Sequence, residues 1–281
     1  MYLRPAEAYS NSLIIIIGKL SNLRADIKAN VLTNEQEILS AASIIEAELI
    51  AWLAALPPDF TYEVQTRNPY DFLFQERCRG LAPYDDQYHV YPSLFICNMW
   101  NQYRSARIIV SEIRLSQILQ LSDASSLRSL SDEFRLQCQA LQTTIRRLAV
   151  DVTRSVPYHL CAHLDFPPNC PPPESYLGGL MLLWPLFLAG VAERRGHPLR
   201  RWVMECYKMI GNTMGLDQAL ALVDIVSADP GILQCVTEEG ESRVWEEPSA
   251  PSWSIMAAKQ LSVASTMSDS PELSSPTEIG Q

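Results

Sequence analysis

The sequence is poor in the residue patterns that carry enzyme chemistry. It has four histidines in 281 residues, and the motifs G-x-S-x-G, G-x-x-x-x-G-K-S/T, G-x-G-x-x-G and H-E-x-x-H do not occur in it. Their absence excludes the common forms of the serine-hydrolase elbow, the phosphate-binding loops and the zinc-protease helix. We therefore expect a protein that is not an enzyme and that binds no cofactor.

One acidic segment approaches a catalytic motif without completing it. All-α isoprenoid enzymes hold magnesium with D-D-x-x-D, and residues Asp85 to His89 read DDQYH, with histidine in place of the third carboxylate. We interpret this segment as a solvated turn that follows Pro83.

The seven cysteines are too widely spaced for a known zinc module. The two nearest, Cys161 and Cys170, are nine positions apart, so no C-x2-C pair exists. His159 and His163 do have a zinc-like spacing and flank Cys161, which leaves a metal site as the alternative to a packed cysteine between two loop histidines. We expect no bound metal. The N-terminal residues lack the features of a secretory signal, so free thiols in a reducing compartment are expected.

Basic residues are scarce, and the acidic excess is concentrated near the C-terminus. The formal charge is −10, and residues 236–281 hold eight acidic and two basic side chains, which leaves −4 for the first 235 residues. Duplex DNA requires a basic surface, so we expect no direct, specific DNA binding by this chain. The segment RRGHPLRR, Arg194 to Arg201, is interpreted as an interhelical loop with local charge pairing. A phosphate site or a nuclear-import patch is the alternative.

Long hydrophobic runs are also scarce. The best candidate for a membrane span is Leu177 to Ala192, sixteen residues without a charge but with Pro185 inside them. A spanning helix needs about 20 such residues. We therefore predict a fully buried core helix and no membrane association.

Helical spacing dominates the rest of the first 235 residues. Apolar side chains recur at intervals of 3 and 4 from Ile38 to Leu56, from Met99 to Ile113 and from Phe134 to Val152. Pro198 and Gly215 are typical of the start and the end of a further helix, and a last helix is predicted to end near residue 227. No strand-turn-strand pattern was found, so we predict an all-α fold, an irregular bundle of antiparallel helices.

Four segments in order carry a family resemblance. They are NMWNQYRSARIIVSEIRL, RSVPYHL, YLGGLMLLWPLFLAGVAE and RRWVMECYKMIGNTMGLDQALAL. Between about Trp52 and Val223 the chain resembles the C-terminal regulatory region of fungal transcription factors of the zinc binuclear-cluster class. The resemblance implies a helical regulatory domain, nuclear localisation and control of transcription, with a pathway-specific role in secondary metabolism as an extension.

The same resemblance shows what this chain does not contain. Family members bind DNA through a cluster of six cysteines with two C-x2-C pairs, whereas this sequence has none. We expect the helical domain, residues 1–235, to be N-terminally incomplete, as a shortened paralogue, a truncated gene model or a regulator without its own DNA-binding module. It would act through protein partners in transcription, as a homodimer or heterodimer. The alternative is a cytosolic helical small-molecule-binding protein or enzyme of specialised metabolism.

Two groups of residues are candidate functional sites. Trp100, Tyr103, Arg104 and Arg107 lie in one predicted helix, where they either join helices through packing and buried hydrogen bonds or line a ligand pocket. Residues 236–281 are predicted to be a disordered, acidic, Ser/Pro-rich tail. Its tryptophans Trp245 and Trp253 stand near five glutamates, a composition typical of activation segments.

Overall fold

The computed structural model describes residues 5–122, 130–167 and 170–233. The predicted all-α fold is confirmed. Helices and strands in these residues are α1 Pro5–Lys28, α2 Glu35–Ala54, β1 Glu63–Thr66, α3 Phe72–Arg77, β2 Gln87–Val90, α4 Leu94–Leu121, α5 Asp132–Arg154, α6 Val156–His159, α7 Pro173–Ala192, α8 Pro198–Met214 and α9 Asp217–Ala228.

The helix α4 lies at the centre of the fold. It packs against α2 on one side and against α5 and α7 on others. Buried apolar residues along it include Met99, Tyr103, Ala106 and Val110, which belong to the predicted stripe. Burial of such stripes removes apolar surface from water and supplies most of the stability of a helical domain.

Local sequence signals explain where the main helices begin and end. Asn34, Ser93 and Ser131 are N-cap residues whose side chains accept a hydrogen bond from a backbone N–H three residues later. The helix α8 starts with Pro198 and ends before Gly215, which has the left-handed φ of 68° that favours glycine at this position. Both boundaries were predicted, and both are confirmed.

The structure also contains a small two-stranded antiparallel sheet, which no pattern in the sequence predicted. The strands β1 and β2 pair antiparallel, with Glu63 opposite Val90 and Thr66 opposite Gln87. The helix α3 and the turn Tyr84–Asp86 lie between them. All four residues of β1 are exposed, so this strand has no alternation of buried and exposed positions from which it could be recognised.

The apolar run Leu177 to Ala192 forms most of α7. Among the described residues, α7 is the single helix that is long and apolar enough to cross a membrane, judged by length and composition. Leu182, Leu186 and Ala189 are fully buried in the same core as α4 and α5. The contacts of α7 are therefore those of a buried core helix, as the sequence predicted.

The glycine Gly178 allows α7 to approach α6. A Cβ atom at this position would lie 1.9 Å from the carbonyl oxygen of His159. We expect Gly178→Ala to lower the free energy of unfolding by about 2–3 kcal/mol, because backbone must move to relieve the overlap. Gly18 in α1, whose Cβ would meet nothing within 4 Å, is the matched control. Gly18→Ala should raise stability by about 0.5–1 kcal/mol. Equal effects of the two variants in urea unfolding would contradict this packing.

Candidate functional site

The structure divides the four predicted residues of α4 between two polar clusters. Trp100 and Arg104 belong to the first, which we call the Arg104 cluster and which also contains Tyr62, His89, Tyr91 and Asn101. Tyr103 and Arg107 belong to the second, which we call the Glu46 cluster and which is completed by Glu46 and Arg114. The rings of Trp100 and Tyr103 meet edge to face at 6.0 Å, so the two clusters are neighbours.

The guanidinium of Arg104 is the centre of the first cluster. Its Nη1 donates to the hydroxyl of Tyr91 at 2.7 Å and to Oδ1 of Asn101 at 2.9 Å. Its Nη2 donates to Nδ1 of His89 at 3.3 Å. Arg104 is 1% exposed, which makes it one of the largest fully buried side chains. A buried charge with several hydrogen bonds is costly to disturb, so this cluster fixes α4 against β2.

Aromatic rings enclose the same guanidinium. Its central carbon lies 5.0 Å from the ring centre of Tyr62, 5.4 Å from that of Trp100 and 5.8 Å from that of Tyr91. Trp100 is half-buried, and its Nε1 donates to the carbonyl oxygen of Phe60 at 2.7 Å. Cation–π contacts and this hydrogen bond account for the mixture of arginine, amide and aromatic residues in α4.

The buried residue His89 was missed by the sequence analysis. We interpreted DDQYH as a solvated turn, and this holds for the exposed Asp85 and Asp86 but is wrong for His89, which lies in β2 and is buried. Burial and the charges of Arg104 and Arg154 lower the pKa of His89 to about 2. Its ring is therefore neutral, with Nδ1 as the acceptor and Nε2 protonated 3.8 Å from Oδ1 of Asp151.

The second cluster joins α2 to α4. Oε1 of Glu46 lies 3.1 Å from Nη2 of Arg107, and the other carboxylate oxygen pairs with Arg114. Nη1 of Arg107 also donates to the hydroxyl of Tyr103 at 3.0 Å, and the ring of Tyr103 stacks on Trp52 at 5.4 Å. Although Arg104 and Arg107 are three positions apart on α4, their guanidinium groups have different partners.

The alternative metal ligands do not come together. His159 is fully buried against Cys97, with Nδ1 3.1 Å from the carbonyl oxygen of Ser155, whereas His163 is exposed and stacks on Tyr158. Within residues 5–122, 130–167 and 170–233, no group of three His, Cys, Asp or Glu side chains is arranged to hold a metal ion.

The contact between Cys97 and His159 was not anticipated, and it has the wrong electrostatics for a nucleophile. Sγ of Cys97 lies 3.2 Å from Nδ1 of His159. Burial raises the pKa of Cys97 well above its usual value and lowers the pKa of His159 to about 4. Both groups are therefore neutral near pH 7, and the thiol is unreactive.

The buried imidazole of His159 makes stability depend on pH. Its pKa is about 4 in the folded chain and 6.5 without the fold, so its contribution is complete above pH 6.5 and is lost as pH falls towards 4. Between pH 7 and pH 5 the expected loss is about 2 kcal/mol. Urea unfolding of the wild type and of His159→Gln at both pH values measures it. The variant should lose less stability, because other titrating groups are common to both proteins; equal losses would contradict the assignment.

The basic segment from Arg194 to Arg201 is only partly the hydrated loop that we expected. Arg200 is buried, and it donates to backbone carbonyl oxygens of Glu193, Val226 and Asp229. Arg195 donates to the carbonyl oxygen of Asp229 at 3.2 Å. Two of the four arginines therefore cap the C-terminal end of α9, where cations are favoured.

The candidate activation residues Trp245 and Trp253 lie outside the described residues, as does the whole segment 236–281. The predicted pocket residues are all described, and intramolecular hydrogen bonds and ring contacts satisfy much of their polarity. Their role as a ligand pocket stays a prediction.

Comparisons with known proteins support one relationship. No protein-family profile matches the sequence, and no solved structure matches it. The chain is similar to the transcription factor dbaG of Emericella nidulans, with 28% identity over 145 residues. The match covers 48% of this chain and 31% of that relative, so it spans about a third of the relative's length. The chain is thus related in sequence to a fungal transcription factor.

Proposed function

We propose that the chain is a nuclear regulator of transcription of fungal type and that its helical domain, residues 1–235, is the regulatory part. The observation that carries this proposal is the similarity to a fungal transcription factor over 145 residues. The neutral Cys97 and His159 also fit a role that is not enzymatic. We further propose that this regulator belongs to the zinc binuclear-cluster class and that it controls a pathway of secondary metabolism.

A direct test of the proposal uses transcription as the readout. The full chain is fused to an unrelated DNA-binding domain, and reporter output is measured in a filamentous fungus, together with the position of a fluorescent fusion. We expect nuclear fluorescence and output that differs from the bare domain. Fluorescence confined to the cytosol and unchanged output would favour a cytosolic small-molecule-binding protein instead.

We further propose that partners, and not this chain, contact DNA. The first 235 residues carry a formal charge of only −4, and the sequence has no C-x2-C pair. The purified chain should therefore show no sequence-selective binding to promoter fragments at moderate salt, in an electrophoretic shift assay. Nanomolar, selective binding would overturn this part of the proposal. We also propose that the chain forms a homodimer or a heterodimer, which cross-linking and light scattering would detect.

The acidic segment 236–281 is proposed to recruit transcriptional machinery. Trp245 and Trp253 lie near five glutamates, whose mutual repulsion keeps the apolar rings available to a partner groove. Fusion of residues 236–281 to an unrelated DNA-binding domain should raise reporter output, and alanine at both tryptophans should abolish the gain. If output equals that of the DNA-binding domain alone, the segment does not activate transcription, and the regulatory role belongs to the helical domain.

A further inference from the structure

The face of α4 that meets α2 holds more positive charge than its partners neutralise. Arg107 and Arg114 share the single carboxylate of Glu46, so two cations face one anion among the described residues. The side chains of Arg107 and Glu46 are 10% exposed and that of Arg114 is 22% exposed. Water therefore screens the remaining positive charge poorly, and an additional anion would be stabilised here.

The same face carries hydrogen-bonding atoms with no partner in the described part of the chain. They are Nε of Arg107, Nε of Arg114 and the hydroxyl of Ser111, and the side-chain oxygen of Gln117 is a fourth. Arg107, Ser111 and Gln117 are each more than nine-tenths buried. Positions 107, 111 and 114 are separated by 4 and 3 residues, so they lie on one face of the helix. Unpaired buried donors are costly, and all three belong to residues on the helix face where the charge is in excess.

We propose that this face of α4 binds a small organic molecule through one carboxylate, with Arg107 and Arg114 as its charged donors. The charge count favours this class, because a carboxylate brings one negative charge against an excess of one positive charge. A doubly charged phosphate would leave a buried negative charge. Guanidinium N–H groups and a hydroxyl also match the geometry of carboxylate oxygens.

Aromatic residues beside the two arginines define the rest of the ligand. The ring of Tyr103 stacks on Trp52, and its hydroxyl accepts from Arg107. Both rings are more than nine-tenths buried, so only a small, planar body such as that of benzoate suits this position. Two members of the predicted pocket, Tyr103 and Arg107, thus belong to the site, whereas Arg104 belongs to the neighbouring cluster.

This inference rests on the proposed regulatory function, because the carboxylate would be the effector of that regulator. Binding is measured on the purified chain without any reporter. If the chain regulates a reporter but does not bind a carboxylate, only the ligand proposal is wrong. If the chain binds a carboxylate but does not regulate a reporter, only the proposed function is wrong.

The experiment compares anions on the purified full chain. Sodium benzoate, sodium phosphate and sodium chloride are added at equal ionic strength, and the melting temperature and the calorimetric Kd are measured. We expect a saturable rise in melting temperature with benzoate and none with chloride. No rise with benzoate, or an equal rise with phosphate, overturns the proposal. A peptide of residues 236–247 is the second source of carboxylates, and displacement of benzoate by it would overturn the small-molecule assignment.

Variants test the site itself. Arg107→Lys and Arg114→Lys keep the charge but remove the Nε donor and the planar fork, so the Kd for benzoate should rise about tenfold or more. Ser111→Ala leaves both ion pairs intact, and it should weaken binding even if the lysine variants unfold. Arg146→Lys is the matched control, because Arg146 is exposed and pairs with Glu193 elsewhere. An unchanged Kd in Ser111→Ala and in every folded lysine variant overturns the proposal.

Discussion

Replacement of Glu46 by glutamine is expected to lower the free energy of unfolding by about 3–5 kcal/mol, the usual cost of removing one partner from a buried ion pair. The carboxylate of Glu46 contacts both Arg107 and Arg114, and its side chain is nine-tenths buried. Glutamine has nearly the same shape but no charge, so two guanidinium groups would be left without a counterion. Equilibrium unfolding in urea measures the effect.

The control for this variant lies two residues further along the same helix. Glu48 pairs with Lys19 at 2.6 Å, but these side chains are 32% and 51% exposed. Solvent-exposed ion pairs contribute about 0–1 kcal/mol. We therefore expect Glu48→Gln to unfold at nearly the wild-type urea concentration. A loss at Glu46 no larger than the loss at Glu48 would show that the Glu46 cluster does not join α2 to α4.

The helices that the sequence predicted are those with an amphipathic stripe and clear end signals. In α5 the predicted stripe runs from Phe134 to Val152, and Phe134 is half-buried, whereas Cys138, Leu141, Ile145, Leu148 and Val152 are buried. The helix α1 was not predicted, although Leu13, Ile16, Leu20 and Leu23 have helical spacing and are buried. The run of four isoleucines from residue 14 to residue 17 conceals that spacing, because it places apolar side chains on every face.

The polar clusters could be predicted only in part. Residue types on α4 indicated buried hydrogen bonds, and the structure places Trp100, Tyr103, Arg104 and Arg107 accordingly. Their partners could not be predicted, since Glu46 and His89 are distant in sequence. Glu46 did leave a signal, because it follows Ile45 and precedes Leu49 by three positions, next to the apolar stripe of α2. A charged residue in that position requires a buried partner.

The replacement Trp100→Ala separates packing from ligand binding at the predicted pocket. Its indole donates to Phe60, meets the ring of Tyr62 edge to face at 4.9 Å and covers the guanidinium of Arg104. Loss of a large aromatic side chain usually costs 3–5 kcal/mol, and Trp100 is half-buried, so we expect about 3 kcal/mol. Removal of the ring would also expose the buried charge of Arg104 to water, and the hydrogen bonds of that cluster would be screened.

Phenylalanine at the same position provides the control. Trp100→Phe keeps an aromatic ring beside Arg104 and loses the hydrogen bond to Phe60, so it should cost only about 1–2 kcal/mol. Melting temperature and reporter output are measured for both variants. If packing is the only role of Trp100, reporter output falls only as far as the folded fraction falls. An alanine variant with the wild-type melting temperature and no reporter response would show instead that Trp100 contacts a ligand or a partner.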